Sequence, residues 1–140
     1  MAVYYQSENT FSLSQEEEIR RGNWVRSVIE ESGFDCGEVT YIFCSDEDLL
    51  EINQRYLKHD TYTDIITFDY GQGRLISGDI FISTDRVIEN AEKFKVHFEH
   101  ELARVMIHGV LHLLGMDDHT DEDKQNMRTE EDRHIKILID

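Results

Sequence analysis

The sequence predicts an α/β chain of the α+β type: a small mixed sheet of about four strands, covered by about five helices, in a single domain. Its 140 residues, 39% of them hydrophobic, suffice for one core and are too few for two. Short β-rich runs alternate with amphipathic helical segments. The chain contains no proline, and no repeat or low-complexity tract suggests a linker within residues 1–140.

The first third of the chain predicts a strand, a helix and a second strand. The first strand covers Ala2 to Tyr5. Ser14 followed by Glu17 forms a capping box, which opens a helix that stops near Gly33. The buried face of this helix is formed by Trp24, Val25, Val28 and Ile29. The β-branched and aromatic run from Val39 to Cys44 predicts the second strand.

The middle of the chain predicts a helix and a pair of strands. Ser45 and Asp48 cap the helix, which ends near His59 and Asp60. One face of it carries Leu49, Ile52, Asn53 and Tyr56, and Asn53 is interpreted as a buried side chain that satisfies nearby backbone groups. Strands at 65–68 and 80–82 flank a Gly71-Gln72-Gly73 turn, the second of them beginning near Leu75.

The last part of the chain predicts three helices. Their buried positions recur at helical spacing: Val87, Ala91 and Phe94 in the first; Leu102, Val105, Met106, Gly109 and Leu113 in the second; Met127, Ile135 and Leu138 in the third. The second of these helices is expected to end at Gly115.

Composition narrows the possible functions. Thirty acidic against fourteen basic residues give a formal charge of −16, which argues against strong nonspecific binding of nucleic acid and favours simple solubilisation. No run of eighteen apolar residues and no signal peptide is found, so a cytoplasmic protein without a membrane partner is expected. Cys36 and Cys44 are expected to be buried free thiols.

The segment HGVLHLLGMDDH, residues 108–119, carries the strongest chemical pattern. His108 and His112 stand one helical turn apart, the spacing of a metal-binding pair. Neutral imidazole suits zinc, and a catalytic zinc takes three protein ligands. Gly115 can adopt a left-handed conformation that turns the chain back, so the third ligand is expected to be Asp118 or His119.

Three further histidines are not predicted to be metal ligands. A lone histidine on an apolar helix is more often a hydrogen-bonded core residue than a ligand, whereas two at this spacing, followed by glycine and a further donor, form a much rarer pattern. His97, His100 and His134 each lack a partner at ligand spacing and are interpreted as surface or capping residues.

At these residues the chain resembles the YbeY family of metal-dependent endoribonucleases, whose motif reads His-Gly-x-x-His-x-x-Gly-x-Asp-His. NQRYLKHDTYTDIITF, residues 53–68, and Gly78-Asp79-Ile80 extend the likeness over most of the chain after Ser14. The resemblance implies one zinc ion, cleavage of single-stranded ribosomal RNA precursors, and a role in small-subunit ribosomal RNA maturation and ribosome quality control. It also implies ribosomal proteins or an assembly GTPase as partners, and no DNA.

The chain departs from the family pattern at two site positions. The family's third histidine falls ten residues after the first, where this chain has Asp118, with His119 one step later. Asp118 is slightly favoured because the helix and glycine turn set the spacing, and zinc accepts carboxylate oxygen. The family's arginine after its tyrosine is Leu57 here; Arg55 and Lys58 are weak catalytic candidates, more simply explained as solvated charges.

Two other functions fit part of the pattern. A zinc peptidase would carry its glutamate base directly after the first histidine, where this chain has Gly109. A zinc-binding ribosome-assembly factor without catalysis would use four ligands, with Asp118 and His119 together. In the second motif, the side chains of Asp60, Thr63 and Asp64 either orient substrate or a ligand histidine, or serve as ordinary turn and cap residues.

Overall fold

The protein forms one four-stranded mixed sheet with five helices over residues 3–58 and 63–139, the part of the chain that our computed structural model describes. This confirms the predicted α+β class and the number of strands and helices. Within these residues, no helix is both long and apolar enough to cross a lipid bilayer.

The sheet has the order β1-β2-β4-β3. Its strands are β1 Val3–Ser7, β2 Asp35–Cys44, β3 Ile65–Asp69 and β4 Leu75–Ser83. Strands β1, β2 and β4 run parallel, and β3 is an antiparallel edge strand beside β4. Strand β2 begins four residues before the predicted Val39, because Asp35 and Cys36 pair with β4 ahead of an irregularity in register. Polar residues and a glycine at that irregularity interrupt the apolar pattern, so the sequence did not indicate it.

The two cysteines are free, as predicted, but differ in burial. Cys44 is buried at the end of β2, whereas Cys36 is only half-buried. Burial raises the pKa of the Cys44 thiol to about 12, and the nearby carboxylates add to the shift, so this thiol stays protonated and unreactive.

The helices are α1 Gln15–Glu31, α2 Asp46–Leu57, α3 Thr84–Phe94, α4 Phe98–Leu113 and α5 Asp121–Ile139. Both predicted caps are present: Ser14 Oγ accepts from the Glu17 amide at 3.1 Å, and Ser45 Oγ accepts from the Asp48 amide at 3.1 Å. Helix α2 ends at Leu57, and the predicted end at His59 and Asp60 lies outside the described residues.

The sheet has a packed face on each side. Helices α1 and α4 cover one face, and α5 packs on the outside of these two helices. The core on this side includes Val25, Val39, Tyr41, Ile80, Met106 and Ile135. Helix α2 covers part of the other face through a small cluster of Cys44, Leu49 and Ile66. Successive strand residues alternate between the two clusters, as the pleat of a strand requires.

Helix α4 lies unusually close to the sheet. A Cβ atom at Gly109 would stand 3.0 Å from side-chain carbons of Ile65 and Ile80, tighter than an ordinary contact, so glycine allows this approach without displacing either isoleucine. The Tyr41 hydroxyl donates to the Met106 carbonyl at 2.9 Å and ties the middle of α4 to β2. These contacts hold the histidine-bearing turn of α4 beside β3.

Three predicted side-chain environments were wrong. Phe94 and Tyr56 were assigned to buried faces, yet they are 49% and 60% exposed. Each lies in the last turn of its helix, which extends beyond the elements that cover the rest of that face. His134 was interpreted as a surface or capping residue, but it is buried on the inner face of α5, where its carbonyl accepts from Trp24 Nε1 at 3.0 Å. His97 is exposed at the N-cap of α4, as predicted, and His100 is half-buried in the first turn.

Candidate metal centre

Two imidazoles and a carboxylate converge at the C-terminal end of α4. The Nε2 atoms of His108 and His112 are 3.0 Å apart, and Asp118 Oδ2 lies 3.4 Å from each of them. In the described part of the chain, this is the group of His, Cys, Asp or Glu side chains whose possible ligand atoms lie within 4.8 Å of one another. The spacing from His108 to His112 therefore produced the predicted pair.

The other nitrogen of each ring is engaged by an acceptor. His108 Nδ1 lies 2.6 Å from Glu131 Oε2, and His112 Nδ1 lies 3.0 Å from the Met116 carbonyl oxygen. A carbonyl and a carboxylate oxygen accept hydrogen bonds, so the ring protons are assigned to Nδ1. The Nε2 lone pairs of His108 and His112 then face each other across 3.0 Å, an arrangement that needs a cation or a shared proton between them.

The distances suit a zinc ion. Zinc binds nitrogen and carboxylate oxygen at about 2.0–2.2 Å in tetrahedral geometry, which separates neighbouring ligand atoms by about 3.3 Å. The three separations here are 3.0, 3.4 and 3.4 Å. The donor set of His108, His112 and Asp118 thus fits zinc without rearrangement of the backbone.

Gly115 creates the turn that completes the group. Its φ of +98° confirms the predicted positive-φ conformation, which a side chain would strain. Two hydrogen bonds close the helix, from the Gly115 amide to the His112 carbonyl and from the Met116 amide to the Leu111 carbonyl. The turn presents the Met116 carbonyl to His112 and brings Asp118 back over the helix end.

The structure distinguishes the two candidates for the third donor. Asp118 lies in the group, whereas its neighbour His119 is exposed and lies outside it. This placement supports the carboxylate as the third ligand, which stays a prediction.

A buried ion-pair network supports His108 from behind. Glu131, 4% exposed, accepts from Arg104 Nη1 at 2.9 Å as well as from the His108 ring. Arg104, one turn before His108 on α4, also donates to Asp132 at 2.6 Å. Burial works against a charged His108 ring, but the hydrogen bond to Glu131 and the surrounding carboxylates raise its pKa above the usual value.

Glu131 and Arg104 were not predicted from the sequence, although one signal pointed to Glu131. Glu131 falls midway between Met127 and Ile135 on the buried stripe of α5. An unpaired carboxylate does not belong on an apolar face, so its position alone suggested a partner across the interface.

Two cavities meet at the centre and share His108, Asp118, Asp64 and Ile65. The smaller, of about 400 Å³, also contains His112 and the side chains of Asn53 and Leu57 from α2. The larger, of about 650 Å³, extends between α3, α4 and α5. Burial raises the pKa of Asp64, and the nearby His108 charge opposes that shift.

The remaining candidates from the second motif separate clearly. Leu57, at the position of the family's arginine, faces the smaller cavity, as do Asn53, which is buried as predicted, and Thr63. Arg55 is exposed and pairs with Glu51 at 2.7 Å, and Lys58 forms the left-handed C-cap of α2; neither lines a cavity of the centre. Asp60 lies outside the described residues.

Fold and site together define a small α+β protein with a three-donor centre that opens into two solvent-accessible cavities. Catalytic zinc sites use such a set, three protein ligands with one position free for water or substrate. Zinc peptidases carry a glutamate directly after the first histidine. In this chain that position is Gly109, which packs against the sheet.

Comparison with known proteins gives the family. The family model described as Endoribonuclease YbeY matches residues 5–138, and the chain belongs to this family. A protein of Flavobacterium psychrophilum named Endoribonuclease YbeY is 58% identical over 116 residues, 83% of each chain. One of the same name from Christiangramia forsetii is 46% identical over 136 residues, covering 97% of this chain and 94% of the relative. These matches confirm the resemblance found in the sequence.

The fold is also found in a solved structure. The solution structure of a Thermotoga maritima protein aligns with a TM-score of 0.68 over 97% of this chain and 88% of its own, at 24% sequence identity. At that identity the likeness concerns the fold alone.

Proposed function

We propose that this protein is a zinc-dependent endoribonuclease that cuts single-stranded RNA in small-subunit ribosomal RNA maturation and ribosome quality control. The name of its curated relatives supports the endoribonuclease activity, since the alignments cover most of both chains. The observation that carries the metal dependence is the pair of Nε2 atoms facing each other at 3.0 Å, with both Nδ1 atoms already engaged.

The chain's own side chains prepare the site for phosphodiester hydrolysis. His108, His112 and Asp118 would hold the ion and leave one position open to the cavities. Bound there, zinc would polarise a phosphoryl oxygen and lower the pKa of a water molecule. Glu131 fixes the His108 tautomer, and Asp64, whose pKa is raised by burial, is suited to exchange a proton with a reacting oxygen in either cavity.

The rival functions are less well supported. A peptidase needs a general base where Gly109 packs against β3 and β4. A purely structural zinc site would use four protein ligands, whereas the group in the described part of the chain contains three and excludes His119.

The cellular setting is proposed from the family resemblance. Precursor ribosomal RNA would be the substrate, ribosomal proteins or an assembly GTPase would be the partners, and the cytoplasm would be the location. The net charge of −16 is consistent with an enzyme that binds RNA at one local site rather than along a basic surface.

The decisive experiment compares the native protein with His108→Ala and His112→Ala, using metal analysis and cleavage assays on RNA and on casein. We expect both variants to lose bound zinc and to cleave RNA at least about 100-fold more slowly, because the metal contributes several kcal/mol to the transition state. Casein should stay intact with every protein.

The matched control is His97→Ala, which removes an exposed histidine from the start of the same helix and should leave zinc content and RNA cleavage unchanged. RNA cleavage that survives loss of both ligand histidines would refute the mechanism. Cleavage of casein alone would replace it with peptidase activity.

A further inference from the structure

The larger cavity lies beside the metal centre and shares with it only two of the three proposed ligands, His108 and Asp118. Its volume of about 650 Å³ lies in the range of sites that enclose small ligands, about 300–1,000 Å³. It begins at His108 and Asp118 and runs away from His112 toward the end of α3. A ligand in this cavity would therefore lie directly beside the candidate metal centre.

One wall of this cavity is apolar and partly aromatic. It is formed by Ile65, Phe94, Val105 and Met127, with the amide side chains of Asn90 and Gln125 beside them. Phe94 is 49% exposed, as is Ile88 on the same helix, but only Phe94 of these two lines the cavity. The Lys93 ammonium stands 5.7 Å from the centre of its ring. An exposed aromatic ring with a cation beside it is a stacking platform for a planar ligand.

Acidic and basic side chains both line the cavity, and Asp64 and Asp118 are among the acidic ones. Glu101 and Glu131 are 4% exposed, and the Glu131 charge is compensated by Arg104. Lys124 and Arg128 are exposed at the opening. The charge of Arg128 acts on Glu101, but neither cation forms a salt bridge within the described residues. In a chain of net charge −16, these two exposed cations provide a local place for an anion to approach.

We propose that this cavity binds one unpaired nucleotide of the RNA, next to the phosphodiester that is cut, with its base on Phe94 and its backbone phosphates near Lys124 and Arg128. This inference rests on the proposed function. A phosphate at the metal centre places its neighbouring nucleotide in one of the two cavities that share His108 and Asp118. The larger cavity has the aromatic wall and the cations, and only a base outside a duplex can reach such a wall.

The test measures RNA binding by fluorescence anisotropy with the zinc-loaded full chain. The probe is a labelled phosphorothioate RNA strand of about ten nucleotides, which resists cleavage. Phe94→Leu keeps an apolar side chain but removes the π-face, and should weaken binding about tenfold, since a stacked base contributes about 1–3 kcal/mol. Tyr70→Leu, a change of a more exposed ring outside the cavity, is the control and should have no effect.

A second pair of variants tests the cations through their salt dependence. Arg128→Gln should reduce the slope of log affinity against log salt by about 0.7, the value for one phosphate contact on a single strand. Phe94→Leu should leave that slope unchanged. Arg74→Gln, which alters an exposed arginine in the turn before β4, is the control and should preserve both the slope and the affinity.

The outcomes distinguish this subsite from the activity on which it rests. Native-like binding by both Phe94→Leu and Arg128→Gln would overturn the subsite, while cleavage of unmodified RNA would keep the proposed function. Selective loss of binding in a protein that cleaves no RNA would keep the cavity as a nucleotide-binding site and reject the activity. Equal losses in the control variants, or no binding of single-stranded RNA by the native chain, would also overturn the subsite.

Discussion

The two histidines of the centre are oriented by different parts of the molecule. His112 donates to the carbonyl of Met116, four residues along the chain, in the turn that Gly115 closes. His108 donates to the carboxylate of Glu131, twenty-three residues away on α5, which Arg104 holds in place. One ring therefore depends on local backbone geometry, while the other depends on the docking of a separate helix.

The two halves of the centre, one around His108 and one around His112, should therefore differ in which substitutions they tolerate. A backbone carbonyl needs no particular side chain, so the His112 half should tolerate any substitution that preserves the turn. The His108 half needs a charged side chain at one position of α5 and an arginine to compensate it. Loss of Glu131 would leave Arg104 with Asp132 alone, and loss of Arg104 would leave the buried Glu131 charge with the His108 ring alone.

The largest effect is expected where the two halves meet. Asp118→Ala should weaken zinc binding about 100-fold or more. A four-ligand zinc site has a binding free energy of about 10–16 kcal/mol, which corresponds to roughly 3 kcal/mol for each ligand. His119→Ala should leave zinc affinity unchanged, since that side chain is exposed outside the group. Competition with a chromophoric zinc chelator measures both. A comparable loss in His119→Ala would make the histidine the third ligand.

An intermediate effect is expected on the His108 side. Glu131→Gln keeps the shape of the side chain but removes the charge that fixes the ring, and should lower zinc affinity about 10-fold, the lower end of the effect of such supporting groups. Glu130→Gln, which removes a neighbouring carboxylate bonded to Arg133, should leave zinc affinity as in the native protein. Equal zinc affinities in the two variants would mean that α5 does not orient the ring.

The smallest effect is expected on the His112 side. Gly115→Ala imposes a side chain at φ +98° and should lower the free energy of unfolding by about 1–2 kcal/mol, with a loss of only a few-fold in zinc affinity. Gly33→Ala is the matched control, because Gly33 ends α1 at φ +88° with equivalent hydrogen bonds and open space around it. Chemical denaturation should show similar losses of stability in both, whereas zinc affinity should change only in Gly115→Ala.

Local signals accounted for most of the elements. The caps at Ser14 and Ser45, the stop at Gly33 and the turn at Gly115 were predicted correctly, because each depends on hydrogen bonds or backbone freedom within a few residues. The extension of β2 to Asp35 was missed, since that segment is a strand only because β4 lies beside it. Phe94 was assigned to the core because the helical period shows which side of the helix a residue is on. It does not show where along the helix the covering elements end.

The amino-acid sequence by itself determined the two imidazoles one turn apart and the glycine that reverses the chain after them, because a helix repeat and a single backbone conformation are properties of neighbouring residues. Tertiary structure decided the rest of the centre. Only folding could place Glu131 behind His108, bring Asp118 rather than His119 next to the two imidazoles and open a cavity past Phe94. Each of these depends on distances between segments that are far apart along the chain, or on how a loop returns to a helix.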